Sequence, residues 1–165
     1  MENTTPTHDM ELYPFETFNI LLEYEVNRSR RYKESLTFIH LAVETGASGV
    51  QAQHGAEIFA INALNLHLRE TDIPCRQGNE FLVLMPLTDE KGGLVVCERL
   101  EKMFERESQI YKKVDFELTV FIGMATIPAE HSISSKRILE NAEQALRHAR
   151  KNQLTKTVLF SDMQK

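Results

Sequence analysis

The stretch DIPCRQGNEFLVLMP, Asp72 to Pro86, decides the fold. Two short apolar runs, Asp72–Arg76 and Phe81–Met85, flank a turn that contains Gly78. Runs of this length on either side of a glycine predict two antiparallel strands closed by a tight turn. Everything outside this hairpin alternates between helical and extended patterns. A purely parallel sheet has no place for a hairpin, so the chain must fold as a mixed sheet with helices packed on it.

Upstream, Phe15, Phe18, Leu22 and Val26 recur at helical spacing and predict a helix from Phe15 to about Tyr32. SLTFIHLAV, ending at Val43, is rich in β-branched and aromatic residues and reads as a buried strand. ETGASG breaks it with two glycines. A second helix is predicted from His54 to Arg69, with Ile58, Ile61, Leu64 and Leu68 on one face.

Downstream of the hairpin, Thr88 is the expected N-cap of a third helix, and Asp89 and Glu90 suit its first turn. Leu94, Cys97, Leu100 and Phe104 form its stripe, and Gly92 and Gly93 weaken its start. FELTVFIGMATI, Phe116–Ile127, is the longest strand candidate and stops at Pro128. Ser134 or Ser135 would cap a last helix carrying Ile138, Ala142, Ala145 and Ala149, and KTVLF closes the chain as an edge strand. The predicted order is α-β-α-β-β-α-β-α-β. It implies an α+β fold with a ferredoxin-like βαββαβ core and a central, mostly antiparallel five-stranded sheet flanked by helices. Residues 1–12 read as a flexible tail and 13–162 as one domain.

Composition narrows the function classes. The chain has 165 residues and a formal net charge of -5, which disfavours general attraction to nucleic acid or anionic membrane. No apolar run approaches the ~18 residues of a membrane span. Cys75 and Cys97 form no CxxC or zinc-ligand spacing, so free thiols and a cytoplasmic location are expected. The six histidines form no HxH or HExxH pattern, so no histidine metal site is expected. His40 reads as a satisfied sheet residue. Arg147, Arg150, Lys151 and Lys156 read as a solvated basic helix end.

Four stretches together resemble the GGDEF domain, the diguanylate cyclase module that makes cyclic di-GMP from two GTP molecules. RETDIPCRQGNEFLVLMP resembles the family pattern RxxD…RxGGDEF followed by an apolar strand. LTVFIGMA resembles vTvSiGvA, and ILENAEQALRHAR resembles ll..AD.ALY.AK. LLEYEVNRSRRYKESLTFIHLAVE resembles the helix and strand that end in the family's DxD. The four lie in the family's order and span Phe15 to Phe160. The resemblance implies the nucleotide-cyclase palm-like version of the fold.

It also implies where chemistry would sit. Cyclisation is phosphoryl transfer, in which divalent ions neutralise charge building on phosphate oxygens. The family holds the ions with a carboxylate ending the first strand and another at the third turn position, since Mg²⁺ prefers oxygen donors. Here Ala42 and Asn79 stand at those positions. Glu44 falls on the same strand face as Ala42 and is a possible substitute. Gln77 replaces the first glycine, Gly78 is kept, and the turn is one residue short of RxGGDEF. Glu80 reads as a solvated residue beside the turn and Phe81 as core. Arg150 replaces the lysine of AKxxGRN and Leu154 its arginine; the DxLTGLxNR entry motif is absent. No catalytic residue, no metal site and no cofactor are therefore expected, with Mg²⁺ entering only for a residual enzyme held by Glu44 and Glu80.

The RxxD element survives as Arg69 and Asp72, with Arg99 on the following helix. In the family this is the inhibitory site for cyclic di-GMP. A guanidinium fork can grip phosphate or guanine with parallel bonds, and a carboxylate can accept from guanine. Alternatively, Asp72 orders the turn into the hairpin. The expected function is a catalytically inactive regulatory or sensor domain that binds cyclic di-GMP, with a ligand-linked homodimer. The alternatives are a nucleotide-independent protein-interaction module with a protein partner, and a residual diguanylate cyclase.

Overall fold

The computed structural model describes residues 12–46, 50–111 and 118–165. The elements run α1 (Phe15–Tyr32), β1 (Leu36–Thr45), α2 (Val50–His67), β2 (Ile73–Gln77), β3 (Glu80–Pro86), α3 (Glu90–Tyr111), β4 (Leu118–Ile127), α4 (Ser135–Lys151), β5 (Val158–Leu159) and α5 (Phe160–Met163). The strands form one sheet in the order β2-β3-β1-β4-β5. β1 pairs antiparallel with both β3 and β4, β2 with β3, and only the short β5 is parallel to its neighbour. The α+β class and the mostly antiparallel five-stranded sheet are as expected. Among the described residues no helix is long and apolar enough to cross a membrane.

Strand alternation sends side chains to both faces, and both faces are covered. Ile39, Leu41 and Val43 of β1 pack with Ala60 and Leu64 of α2 and Leu100 and Phe104 of α3. Leu36 and Phe38 pack with Phe18 and Leu22 of α1 and Ile138 and Ala142 of α4. β1, paired on both sides and covered on both faces, is buried from Leu36 through Val43. That is why its sequence reads as a continuous apolar run and not an alternating one.

Several boundaries differ from the sequence expectation. α2 begins at Val50, one turn earlier than His54, and closes at His67. The cap of α3 is Asp89, whose Oδ1 accepts from the Gly92 amide at 2.8 Å. Thr88 is instead buried, its hydroxyl donating to the Pro86 carbonyl at 3.0 Å while its own carbonyl accepts from Thr37 Oγ1 at 2.8 Å. Ser134 does cap α4, accepting from the Arg137 amide at 3.2 Å. The closing strand is only two residues long and runs into α5, which the sequence pattern did not show. Leu12 packs against the core and the Tyr13 amide donates to the Pro74 carbonyl at 3.0 Å, so the last residue assigned to the tail is itself docked. The rest of that tail, part of the ETGASG break and the first two residues of FELTVFIGMATI lie outside the described residues.

Candidate functional site

The hairpin turn has two central residues, Gly78 and Asn79, between the paired Gln77 and Glu80. Gly78 has φ 61 and Asn79 is not among the positive-φ residues, the pattern of a type II′ turn with glycine first. Asn79 faces back to β1: its carbonyl accepts from the Val43 amide at 3.1 Å and its side-chain amide donates to the Val43 carbonyl at 3.3 Å. Arg76 holds the turn from the other side, donating to the Gly78 carbonyl at 2.9 Å and pairing with Glu57 of α2.

Sheet register brings the first strand and the turn together. Ala42 lies directly opposite Glu80 on β3 and Phe121 on β4. It is fully buried in a small cluster with Phe121, Leu146 and Ala149. Glu44, two residues on, shares that face, as the alternation requires. It meets Arg150 of α4, whose Nη2 lies 2.6 Å from Glu44 Oε1 and whose Nη1 lies 3.8 Å from Glu80 Oε1. Glu80 also sits 3.3 Å from His40 Nε2, within ion-pair range. Thus one guanidinium joins two carboxylates over the buried Ala42, with a histidine on the inner side.

This network corrects two expectations. Glu80 is half-buried and paired, not a solvated residue. Arg150 is not a free helix-end cation. Its place follows from the spacing of α4: Ala142, Leu146 and Ala149 face the sheet, and the next residue emerges at its rim. Burial pushes the His40 imidazole below its ordinary pKa, against the opposing pull of Glu80. Among the described residues no three His, Cys, Asp or Glu side chains gather where they could hold a metal ion. Both cysteines are free and buried, and burial pushes the Cys97 thiol up to about 12.

The RxxD pair lies across the sheet, where α2 turns into β2. Asp72 is 5% exposed and does not face solvent. Its Oδ2 accepts from the Arg69 backbone amide at 2.8 Å, and its own amide donates to the Arg69 carbonyl at 3.0 Å. Its Oδ1 is buried without a hydrogen-bond partner among the described residues. The carboxylate therefore closes the turn on the backbone of Arg69, while the Arg69 side chain is exposed. That side chain lines a shallow groove of about 350 Å³ with Glu34, Ser35, Thr88, Asp89 and Gly92. Arg99 is exposed on α3 and does not line this groove.

Burial pushes the Asp72 carboxyl above its ordinary value of 3.8, outweighing the opposing effect of the Arg69 amide and guanidinium. The folded state thus holds the proton more tightly. The ionised group costs nothing below that value, where both states are protonated, and costs stability as pH rises through the folded pKa. Asp72→Ala should lose about 1–2 kcal/mol at pH 7 by orphaning the Arg69 amide. Asp72→Asn, which keeps an acceptor and removes the charge, should lose less than half of that. Urea denaturation of the two variants checks this, and equal losses would refute the capping role.

A sequence model of the family described as "Diguanylate cyclase, GGDEF domain" matches residues 57–156. The chain is 26% identical over 148 residues to diguanylate cyclase A of Treponema denticola, covering 82% of this chain and 38% of that one. It spans well under half the length of that relative. Among solved structures it resembles the GGDEF domain of DgcB from Caulobacter crescentus in complex with cyclic di-GMP. The TM-score is 0.75, with 15% identity and 98% of each chain covered. It also resembles diguanylate cyclase SiaD of Pseudomonas aeruginosa in complex with its activator SiaC. There the TM-score is 0.71, with 20% identity and coverage of 90% of this chain and 58% of that one. At such identities the structural likeness speaks to the fold.

Proposed function

The chain belongs to the GGDEF domain family, and we propose that within it this is a regulatory domain that does not cyclise GTP. One observation carries the proposal: the Arg150 guanidinium occupies the space between Glu44 and Glu80, over a buried alanine. A cyclising site needs positive charge that is held by carboxylates and still has open coordination positions for phosphate oxygens, as a metal ion provides. A tethered guanidinium instead fills the space between the two acids, offers no coordination position to a phosphate, and offsets one of their two charges. Asn79 offers only a neutral amide oxygen, which offsets no charge, and its amide nitrogen donates to the Val43 carbonyl. These residues do not fit Mg²⁺, and we assign the domain no resident metal. Adding Mg²⁺ in the presence of GTP should leave the melting temperature unchanged. A rise that Glu80→Gln removes would mean that Glu44 and Glu80 hold the ion after all.

A second element of the proposal concerns ligand binding. Arg69 is exposed, lines a groove and makes no ion pair within 4 Å among the described residues, so its fork is free for phosphate or guanine. Asp72 supports it from behind by fixing the Arg69 backbone, and is a positioning residue. We assign cyclic di-GMP to this groove, in line with the ligand in the DgcB structure. The expected result is calorimetric binding that Arg69→Ala weakens by about 10- to 100-fold, the loss of charge-assisted bonds. Absence of binding, or binding indifferent to Arg69→Ala, would leave the domain as a module that works by protein contact alone. A protein partner, as SiaD has in SiaC, a ligand-linked dimer and a cytoplasmic setting complete the proposal.

A further inference from the structure

α1 carries two rows of side chains. Phe18, Leu22, Val26 and Ser29 are buried in the domain. Thr17, Ile20, Tyr24, Asn27 and Arg31 lie on the opposite side of the helix and are all exposed. The steps along this outer row, alternately three and four residues, are those of a coiled-coil seam. A helix with one face in a core normally turns polar residues outward. Here the middle of the outer row is Ile20, 71% exposed, and Tyr24, 64% exposed, one turn apart. A lone exposed apolar side chain needs no explanation, but two in register on such a spacing mark a contact surface.

The charges of α1 say what fits there. Its carboxylates, Glu16, Glu23 and Glu25, all precede Val26, and its guanidinium groups, Arg28, Arg30 and Arg31, all follow it. That order suits the helix dipole. It also makes the helix complementary to an antiparallel copy of itself, whereas a parallel copy would set acid beside acid and arginine beside arginine. Some of these groups are already engaged. Glu23 accepts from Ser135 Oγ of α4, and Arg28 pairs with Glu25 and Glu34. Glu16 and Arg30, which flank the outer row on one side, are exposed and make no ion pair within 4 Å among the described residues.

We propose that the outer face of α1 docks a second copy of this chain, the two helices running antiparallel about a two-fold axis. The seam sets Ile20 against Tyr24 of the partner subunit, and the axis repeats that contact. The same register brings Glu16 beside Arg30 of the partner subunit, again twice. A helix of 18 residues is about 27 Å long. One such face offers less than the roughly 800 Å² per partner of a standard interface, so the dimer is weak and forms as concentration rises. Neither Arg69 nor Asp72 takes part. This dimer therefore needs no nucleotide and is separate from the ligand-linked one proposed above.

The test is sedimentation equilibrium of the full chain without nucleotide, from about 10 μM to about 1 mM at low salt. The expected result is a monomer–dimer equilibrium within that range. Tyr24→Glu should raise the dissociation constant about tenfold or more, by placing a charge in the seam. Glu16→Lys and Arg30→Glu should each raise it about threefold or more, because each contact occurs twice. The two reversals in one chain should restore dimerisation, and Arg69→Ala should leave it unchanged. All of the substituted side chains are exposed, so the fold tolerates the changes. A chain that stays monomeric at about 1 mM, a dimer indifferent to Tyr24→Glu, or a double reversal no tighter than the single ones would overturn the proposal.

Discussion

Replacing Gly123 with alanine is expected to lower the melting temperature by roughly 6–12 °C, or to prevent folding. The reason lies in how closely α4 sits on the sheet. A Cβ at position 123 would come 2.2 Å from the Leu146 amide nitrogen, 2.5 Å from the Ala142 carbonyl oxygen and 2.8 Å from the Ala145 carbonyl carbon. All three are backbone atoms of a helix, so no side chain can rotate away. The same contact seats Ala142, Ala145 and Ala149, all fully buried, and sets the height of Arg150 over β1. Overpacking of this kind costs about 3 kcal/mol, and in a domain of this size each kcal/mol is worth roughly 2–4 °C. Gly55→Ala is the control. It lies in α2 with nothing within 4 Å of the added methyl, and should stabilise by up to about 1 kcal/mol. Thermal unfolding of both variants checks the pair, and a Gly123→Ala protein as stable as the parent would contradict this packing.

Phe81→Ala should cost about 3–5 kcal/mol, the range for removing a fully buried aromatic ring. Phe81 is 0% exposed and belongs to the core under α2 and α3, paired across the ladder with Leu41 on one side and Arg76 on the other. It is the residue that pins RQGNEF to the domain. The turn itself is held by the β1 ladder and by side-chain contacts, among them Arg76 to Glu57 and Asn79 to Val43. A urea midpoint that barely moves on Phe81→Ala would mean the hairpin is a loose appendage. A large loss fits a hairpin that is an integral part of the core.

Much of this was legible in the chain, and the limits have physical causes. The hairpin, the buried β1 and the stripes of α1, α3 and α4 are local patterns, and they read correctly. The Asp89 cap was misplaced by one residue because Thr88 and Asp89 are both good caps, and only the bond of Thr88 to Pro86 decides between them. The Arg150 clamp was missed because it joins residues far apart in sequence. It requires both the sheet order, which sets Ala42 against Glu80, and the face that α4 presents. The inward turn of Asp72 was one of two open readings, since RxxD spacing serves equally for gripping a ligand and for closing a helix end.

One end of the central strands holds an ion-paired network of Glu44, Glu80 and Arg150. The opposite end keeps an exposed Arg69 braced by a buried carboxylate. The direct test of the central claim is to incubate the purified chain at high concentration with GTP and Mg²⁺, then separately with Mn²⁺, and to follow product by liquid chromatography. The account predicts that no cyclic di-GMP accumulates above the level of a Glu80→Gln variant. Time-dependent cyclic di-GMP that Glu80→Gln abolishes would contradict it.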